Sequence, residues 1–318
     1  MSQHWDKHVE EVENHTLKGW LDWEFIEEHY IRPQVSGDPQ VYYLHYFLQK
    51  HIPKRPVARA LSIGCGGGNL ERALIQLGAA QEIDAMDISP ESIRLAKELA
   101  AQEGMESRLH YEVSDINKAE FPEKTYDFVI AKMSLHHISQ LEHVYHQIRR
   151  TLKDGGVFVF NEFIGPSRFQ WTDLQLTLME QILSVVPEKN TYSSVAKNHI
   201  KRIDRPTVLQ MLAMDPSEAV RSAEIMPRLT DEFEILENKP YGGTLLHMLL
   251  THTMGSYDLE NPDQQALLKM LFLFERTLIQ QNVLQPDFAY VVARPKHESE
   301  LNSPPTKRKF WQGFLRQR

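Results

Sequence analysis

The sequence predicts an α/β fold, a doubly wound and mostly parallel sheet of about seven strands, and three observations carry that expectation. Short β-rich runs alternate with amphipathic helical ones from "VARALSI" to "GVFVFNEF", at intervals suited to βα units. Between the first run and the first helix, "ALSIGCGGGNLERALIQLG" packs four glycines into five positions, the punctuation of a strand-to-helix turn. With 318 residues and 42% apolar content, the chain can build one large core with insertions.

Taken in order, residues 1–55 read as a helical, aromatic-rich appendage ("GWLDWEFIEEHYI", "VYYLHYFLQKHI") broken by the loop formers of "RPQVSGDP". Its Trp20, Trp23 and Tyr30 are placed either to close as a lid over a ligand or to dock the appendage on the core. Residues 56–163 form the core unit, with further strands at "EIDAMD", "LHYEVSD" and "YDFVIAKM". Ser89 with Pro90, and Ser139 with Glu142 three residues on, read as helix starts; Gly104 and Gly155-Gly156 read as helix stops. Residues 164–228, about 65 residues holding "WTDLQLTLMEQILSVV" and "RPTVLQMLAM", are too long for a plain connection and read as a helical insertion. Residues 229–296 complete the sheet with "EFEILENKPY" and "DFAYVVARP", separated by a helical pair near 244–254 and 261–281. Residues 297–318 are a polar linker and a basic, aromatic tail.

A net charge of −8 argues against a protein that holds nucleic acid by neutralising phosphates. The single cysteine, Cys65, excludes an intrachain disulfide and a multi-cysteine zinc site, and fits a reducing compartment. The acidic start resembles no signal peptide and no stretch is apolar enough to span a bilayer, so the expectation is a cytoplasmic protein. In the tail, Phe310, Trp311, Phe314 and Leu315 share one helical face among bases. Residues 307–318 are therefore expected either to touch an anionic membrane surface weakly, at its inner face, or to strap onto the body of the protein or stay disordered.

A strand, a glycine turn and a helix together aim backbone N–H groups and a positive dipole end at one point. Lacking Cβ atoms at Gly64, Gly66, Gly67 and Gly68, the main chain admits close approach of a ligand. The dinucleotide fingerprint wants glycine or alanine at position 69, where this chain has Asn69. Asp87 closes the second strand nineteen residues after Gly68, where a carboxylate can accept from ribose hydroxyls. Asp115, ending the third, is placed to receive an adenine amino group.

On "LSIGCGGG", "AMDIS", "VSDI", "YDFVIAKMSLHHI" and "LKDGGVFVFNE", residues 56–163 resemble the core of class I S-adenosylmethionine-dependent methyltransferases. The resemblance implies a Rossmann-like seven-stranded sheet with an antiparallel last strand and S-adenosyl-L-methionine as cofactor. It also implies that Gly64, Gly66 and Gly68 face the methionine part, Asp87 the ribose, and Asp115 with Ile116 the adenine, with Ile88 packed on the adenine face. Lys132, at the end of strand four, is placed at the same donor site. One residue departs from the pattern: relatives carry an acid two positions before the first glycine, commonly orienting the donor's amino group, and this chain has Ser62.

Methyl transfer needs an aligned acceptor and, for a hydroxyl, a base. His136 and His137 are candidate bases after strand four, unless they merely open the next helix; being adjacent, they are not expected to face one pocket. Glu162 competes from the end of strand five, beside Asn161, with Arg168 farther on as a possible acceptor contact, and Tyr241, Gly242, Gly243 and His247 follow strand six. In the insertion, Lys197, His199, Lys201, Arg202 and Arg205 form either an anion site or a solvated face. No carboxylate follows strand four directly, so no metal is expected. The preferred acceptor is a hydroxyl on a small molecule, sugar or lipid-linked glycan. The rivals are a non-catalytic S-adenosylmethionine-binding sensor and a nicotinamide-dependent oxidoreductase, which wants a tyrosine and lysine four apart downstream of the glycines; Tyr46 and Lys50 lie upstream.

Overall fold

Side chains on a strand alternate between its two faces, so a strand that is apolar throughout must be covered on both. Such strands form the middle of one seven-stranded sheet in the computed structural model, which describes residues 19–194 and 196–301. The strands are β1 (Val57–Ile63), β2 (Ala80–Asp87), β3 (Leu109–Val113), β4 (Tyr126–Lys132), β5 (Leu152–Phe163), β6 (Phe233–Gly242) and β7 (Phe288–Pro295). They lie in the order β3-β2-β1-β4-β5-β7-β6, and β7 alone runs antiparallel to its neighbours. The expected doubly wound, Rossmann-like sheet is therefore the observed one. Its winding reverses between β1 and β4, which leaves a crevice at their carboxyl ends.

The alternation sorts the core into two layers. Phe128 and Ile130 of β4 enter one hydrophobic cluster, while Val129 and Ala131 enter the other. On the second face, α4 (Leu141–Thr151) inserts Leu141, Val144, Tyr145 and Ile148, one stripe at helical spacing. Each such fully buried aliphatic side chain contributes roughly 1.5–3 kcal/mol by transfer from water. The first face is covered by α1 (Tyr43–His51), α2 (Asn69–Gln76) and α3 (Pro90–Gln102), together with an irregular helical run over residues 24–35.

The appendage is docked firmly on the sheet. Trp20 and Tyr30 are buried, Trp20 lying 5.0 Å from the Phe288 ring and Tyr30 donating to Glu275 at 2.5 Å. The Glu275 carboxylate also accepts from Gly243, Leu245 and Leu246 N–H at 2.8, 2.6 and 2.9 Å, and so caps α8 (Leu246–Thr253) from α9 (Pro262–Gln280). Tyr46 and Lys50 converge on Glu237 of β6 at 2.6 and 2.7 Å, joined by His51 at 2.9 Å. The tyrosine–lysine pair thus anchors α1 to the sheet edge.

Between β5 and β6 the insertion carries α5 (Asp173–Val185), α6 (Val208–Met214) and α7 (Ile225–Glu232), with a two-residue ribbon pairing Tyr192–Ser193 with Asn198–His199. Arg205 of the basic cluster is tied to Trp171 O at 2.6 Å and Asp173 at 2.5 Å, so it braces α5 instead of facing an anion.

Two helix boundaries differ from expectation. Ser89 caps α3 as read, accepting Ser92 N–H at 3.0 Å, but Ser139 caps nothing. Its hydroxyl and N–H donate to Asn117 Oδ1, Glu142 pairs with Arg221, and α4 starts at Leu141. Likewise α4 stops at Thr151 and the chain passes straight into β5, so Gly155 and Gly156 occupy the bulge between the Tyr126–Leu152 and Phe128–Val157 pairs. Beyond the sheet, Glu298–Leu301 adds a helical turn where a linker was expected. The expected membrane contact through residues 307–318 lies outside the described residues; among those described, no helix is long and apolar enough to cross a membrane.

Candidate active site

The glycine turn serves two purposes, divided among its residues. Gly64, Gly66 and Gly68 all hold positive φ (68°, 50° and 77°), which side-chain-bearing residues adopt at a cost. A Cβ on Gly64 would strike Ser134, and one on Gly68 would strike the Tyr111 hydroxyl, so those two make room for the protein's own side chains. Only at Gly66, of the three, would a Cβ meet nothing, and there the turn opens on free space. Asp87 braces this opening: its carboxylate accepts from Gly66 N–H and Ser89 N–H, both at 2.9 Å, while burial pushes its pKa up. Ile88 and Ile116 flank it half-buried. Asp115 accepts from Asn117 N–H at 3.1 Å and pairs with Lys118 at 3.2 Å; against the upward push of burial, these donors hold its carboxyl below the usual range. The free space, the two aspartates and the half-buried isoleucines fit an adenosyl group lying across β1 and β2.

At the carboxyl end of β4, Lys132 is exposed, with Met133, Ser134 and His137 half-buried around it. From the appendage, Tyr42 and Glu27 both lie close enough to feel the Lys132 charge. Desolvation raises the Glu27 pKa to about 7, against the opposing charges of Arg32 and Lys132. The appendage therefore approaches the site through Glu27 and Tyr42, and Trp20, docked on the core, meets the His247 ring at 6.1 Å.

Glu162 is buried and committed. Oε2 accepts from Ser134 and Leu135 N–H at 2.8 and 2.7 Å, and Oε1 from Phe163 N–H at 2.6 Å and His136 Nδ1 at 2.5 Å. This pins the loop after β4 to the end of β5, and a carboxylate with that many donors is poorly disposed to act as a base. His136 is its ion partner: although desolvation lowers its pKa, Glu162, Glu218 and Asp215 outweigh it and push it up to about 9. At neutral pH its imidazole is a cation, unsuited to taking a proton.

His137 is placed differently. Its Nδ1 lies 3.2 Å from Ser217 Oγ and 3.7 Å from Asp215 Oδ2, and Ser217 in turn donates to Asp215 at 2.7 Å. The two histidine rings are 4.1 Å apart, closer than adjacent helical positions suggest, because residues 135–137 form a tight three-residue turn instead of an α-helix. Ligand atoms of His136, His137 and Glu218 all lie within 4.8 Å of one another, a spacing a metal could bridge. His136 Nδ1 is held by Glu162, so only Nε2 could reach an ion, in competition with the proton that the surrounding carboxylates favour. Metal analysis of the purified chain is expected to find no stoichiometric ion; one ion per chain, lost in His136→Gln, would reverse that assignment.

The half-buried Phe169 and His247 bound the same region, with rings 6.0 Å apart and Phe163 within 5.2 Å of Phe169. Burial drives the His247 pKa down to about 3, so this wall is neutral and aromatic. Tyr241 is buried and bonded to Asn161 at 2.5 Å, which removes both from an acceptor role. Arg168 turns to Glu218 O at 3.2 Å within the insertion. Asp215, Ser217, Glu218, Glu27 and Tyr42 were not legible as site residues, since each arrives through a contact distant in sequence. The acidic "DPSE" at 215–218, following the apolar run "VLQMLAM" of the insertion, was the available signal.

Residues 55–232 match the family described as "Methyltransferase domain". The chain is 30% identical over 130 residues to the sterol 24-C-methyltransferase ERG6B of Gibberella zeae, covering 41% of this chain and 34% of that protein. It is 30% identical over 115 residues to the 27-O-demethylrifamycin SV methyltransferase of Amycolatopsis mediterranei, covering 36% and 41%. The matches thus span between a third and about two fifths of these relatives' lengths. A solved S-adenosylmethionine dependent methyltransferase from Mesorhizobium loti aligns with a TM-score of 0.46 at 17% identity, covering 79% of this chain and 96% of that one. With more than half of its length in the family match, and with the sheet order that the resemblance implies, the chain belongs to the methyltransferase-domain family, as a class I, S-adenosylmethionine-dependent member.

Proposed function

We propose that this protein methylates a hydroxyl oxygen on a small-molecule or glycan acceptor, with His137 as the general base. S-adenosyl-L-methionine, when bound, supplies a methyl group on a positively charged sulfur. The residues of this chain then have three tasks: hold the acceptor oxygen in line, exclude water and take its proton. The observation that carries the reading is the acid-oriented imidazole: His137 stands against Ser217 and Asp215 while its neighbour His136 is spent on Glu162. A histidine held by a serine hydroxyl that itself donates to a carboxylate keeps one tautomer and one direction, which suits proton removal from a hydroxyl. The neutral aromatic wall of Phe163, Phe169 and His247 supports an acceptor with an apolar ring or chain beside that hydroxyl. One relative named above is an O-methyltransferase by the position in its name and another a C-methyltransferase, so the atom methylated is the question to test.

The test is incubation of the full chain with methyl-labelled S-adenosylmethionine and fractionated small-molecule extracts, followed by mass spectrometry of labelled products. The expected product carries its label in an ether methyl, which hot hydriodic acid releases as methyl iodide. Label retained on carbon would place the chain with the sterol-type enzymes, and absence of any labelled product would favour the non-catalytic binder.

A further inference from the structure

Glu71, on the first turn of α2, is fully buried. Oε1 accepts a short hydrogen bond from the Ser62 hydroxyl of β1, and Oε2 has no hydrogen-bond partner. The nearest cation in sequence, Arg72, directs its guanidinium to Gly67 O at 2.8 Å, Glu103 at 2.9 Å and Asn69. No ion pair is formed by Glu71 among the described residues. Arg72 lends only a minor opposing charge without pairing, and Asp87 adds a like one. A buried carboxylate with a spare oxygen and no ion pair costs free energy that a binding cation would recover. The carboxylate also lies beside the donor opening: its charge is felt at Cys65, inside the glycine turn, and at Tyr111, whose hydroxyl touches Gly68 O at 3.4 Å. Ser62 occupies the position at which the family resemblance called for an acid, so the Ser62–Glu71 bond brings a carboxylate from the helix to the place where the strand lacks one.

We propose that Glu71 is the group that receives the amino end of S-adenosylmethionine, its Oε2 accepting from the ligand's ammonium. The inference rests on the S-adenosylmethionine site and not on the acceptor or on His137. It makes Glu71 a donor-binding residue that acts in concert with Ser62, which orients the carboxylate. Burial holds the Glu71 pKa at about 7 in the free protein, against the opposing hydrogen bond from Ser62. An ammonium beside it lowers that pKa, so binding releases a proton near pH 7, and affinity falls as pH drops from 8 to 6.

Two ligands separate this role from a structural one: S-adenosylhomocysteine, which carries the ammonium, and 5′-methylthioadenosine, which shares the nucleoside but has none. By titration calorimetry at pH 8, Glu71→Gln is expected to weaken S-adenosylhomocysteine by at least about tenfold and to leave 5′-methylthioadenosine within about twofold. Adding Ser62→Asp to that variant is expected to restore most of the loss. In the unmodified chain near pH 7, the S-adenosylhomocysteine enthalpy should vary with buffer ionisation, reporting a released proton, while that of 5′-methylthioadenosine should not. Equal loss for both ligands, or no loss for either, would overturn the proposal. If Glu71→Gln does not fold, the unmodified chain decides alone, and buffer-independent S-adenosylhomocysteine binding rejects it. A chain that binds neither ligand defeats the donor site itself, a different failure from selective insensitivity to Glu71.

Discussion

Glu162→Ala is expected to lower folding stability by about 3–5 kcal/mol, because it strands a buried cation and three backbone donors at once. The donors are Ser134, Leu135 and Phe163 N–H, and the cation is His136. Urea titration followed by circular dichroism measures the loss, and a change under about 1 kcal/mol would mean that water replaces the carboxylate. The pair also predicts how stability varies with pH. His136 has its pKa raised from 6.5 to about 9 in the folded chain, so its contribution is fully present below pH 6.5 and disappears as pH climbs through 9. Glu162→Ala should flatten that decline, and a variant retaining the same slope would assign it to another group.

His137→Ala is expected to cut turnover by about 10²–10⁴-fold while S-adenosylhomocysteine affinity stays within about twofold, the signature of a lost base. The measurement is single-turnover methyl transfer at saturating donor, once an acceptor is in hand. Asp215→Asn should reproduce part of the effect by releasing the imidazole from its orienting partner. A His137→Ala chain with normal turnover would hand proton removal to water or to another side chain. Glu162→Ala cannot mimic this result cleanly, since it disturbs folding first.

What could be read from the sequence follows the reach of each interaction. β4, β7 and the second half of β5 were legible because burial on both faces makes them nearly continuously apolar, and α3 was legible because Ser89 and Pro90 act within one turn. Ser139 and Glu142 have the spacing of a reciprocal cap, yet Asn117, 22 residues upstream, takes the serine. The caps that do form this way are Thr172 with Gln175 and Thr207 with Gln210, where no distant partner competes. The same division runs through the site. Gly66 and Asp87 meet because adjacent parallel strands put their ends together, which strand order alone dictates. His137 meets Ser217 across 80 residues, and only the folded insertion supplies that contact. Ser62 was seen as a missing acid, but its replacement stood nine residues away on a helix whose facing side the one-dimensional pattern leaves open.

The Glu275 knot, finally, makes the N-terminal wall the costly one to move. Swinging the appendage outward would tear the Tyr30 hydroxyl from a buried carboxylate and lift Trp20 off Phe288, both expensive ruptures. The appendage is in this sense a fixed jamb of the site, carried with the sheet.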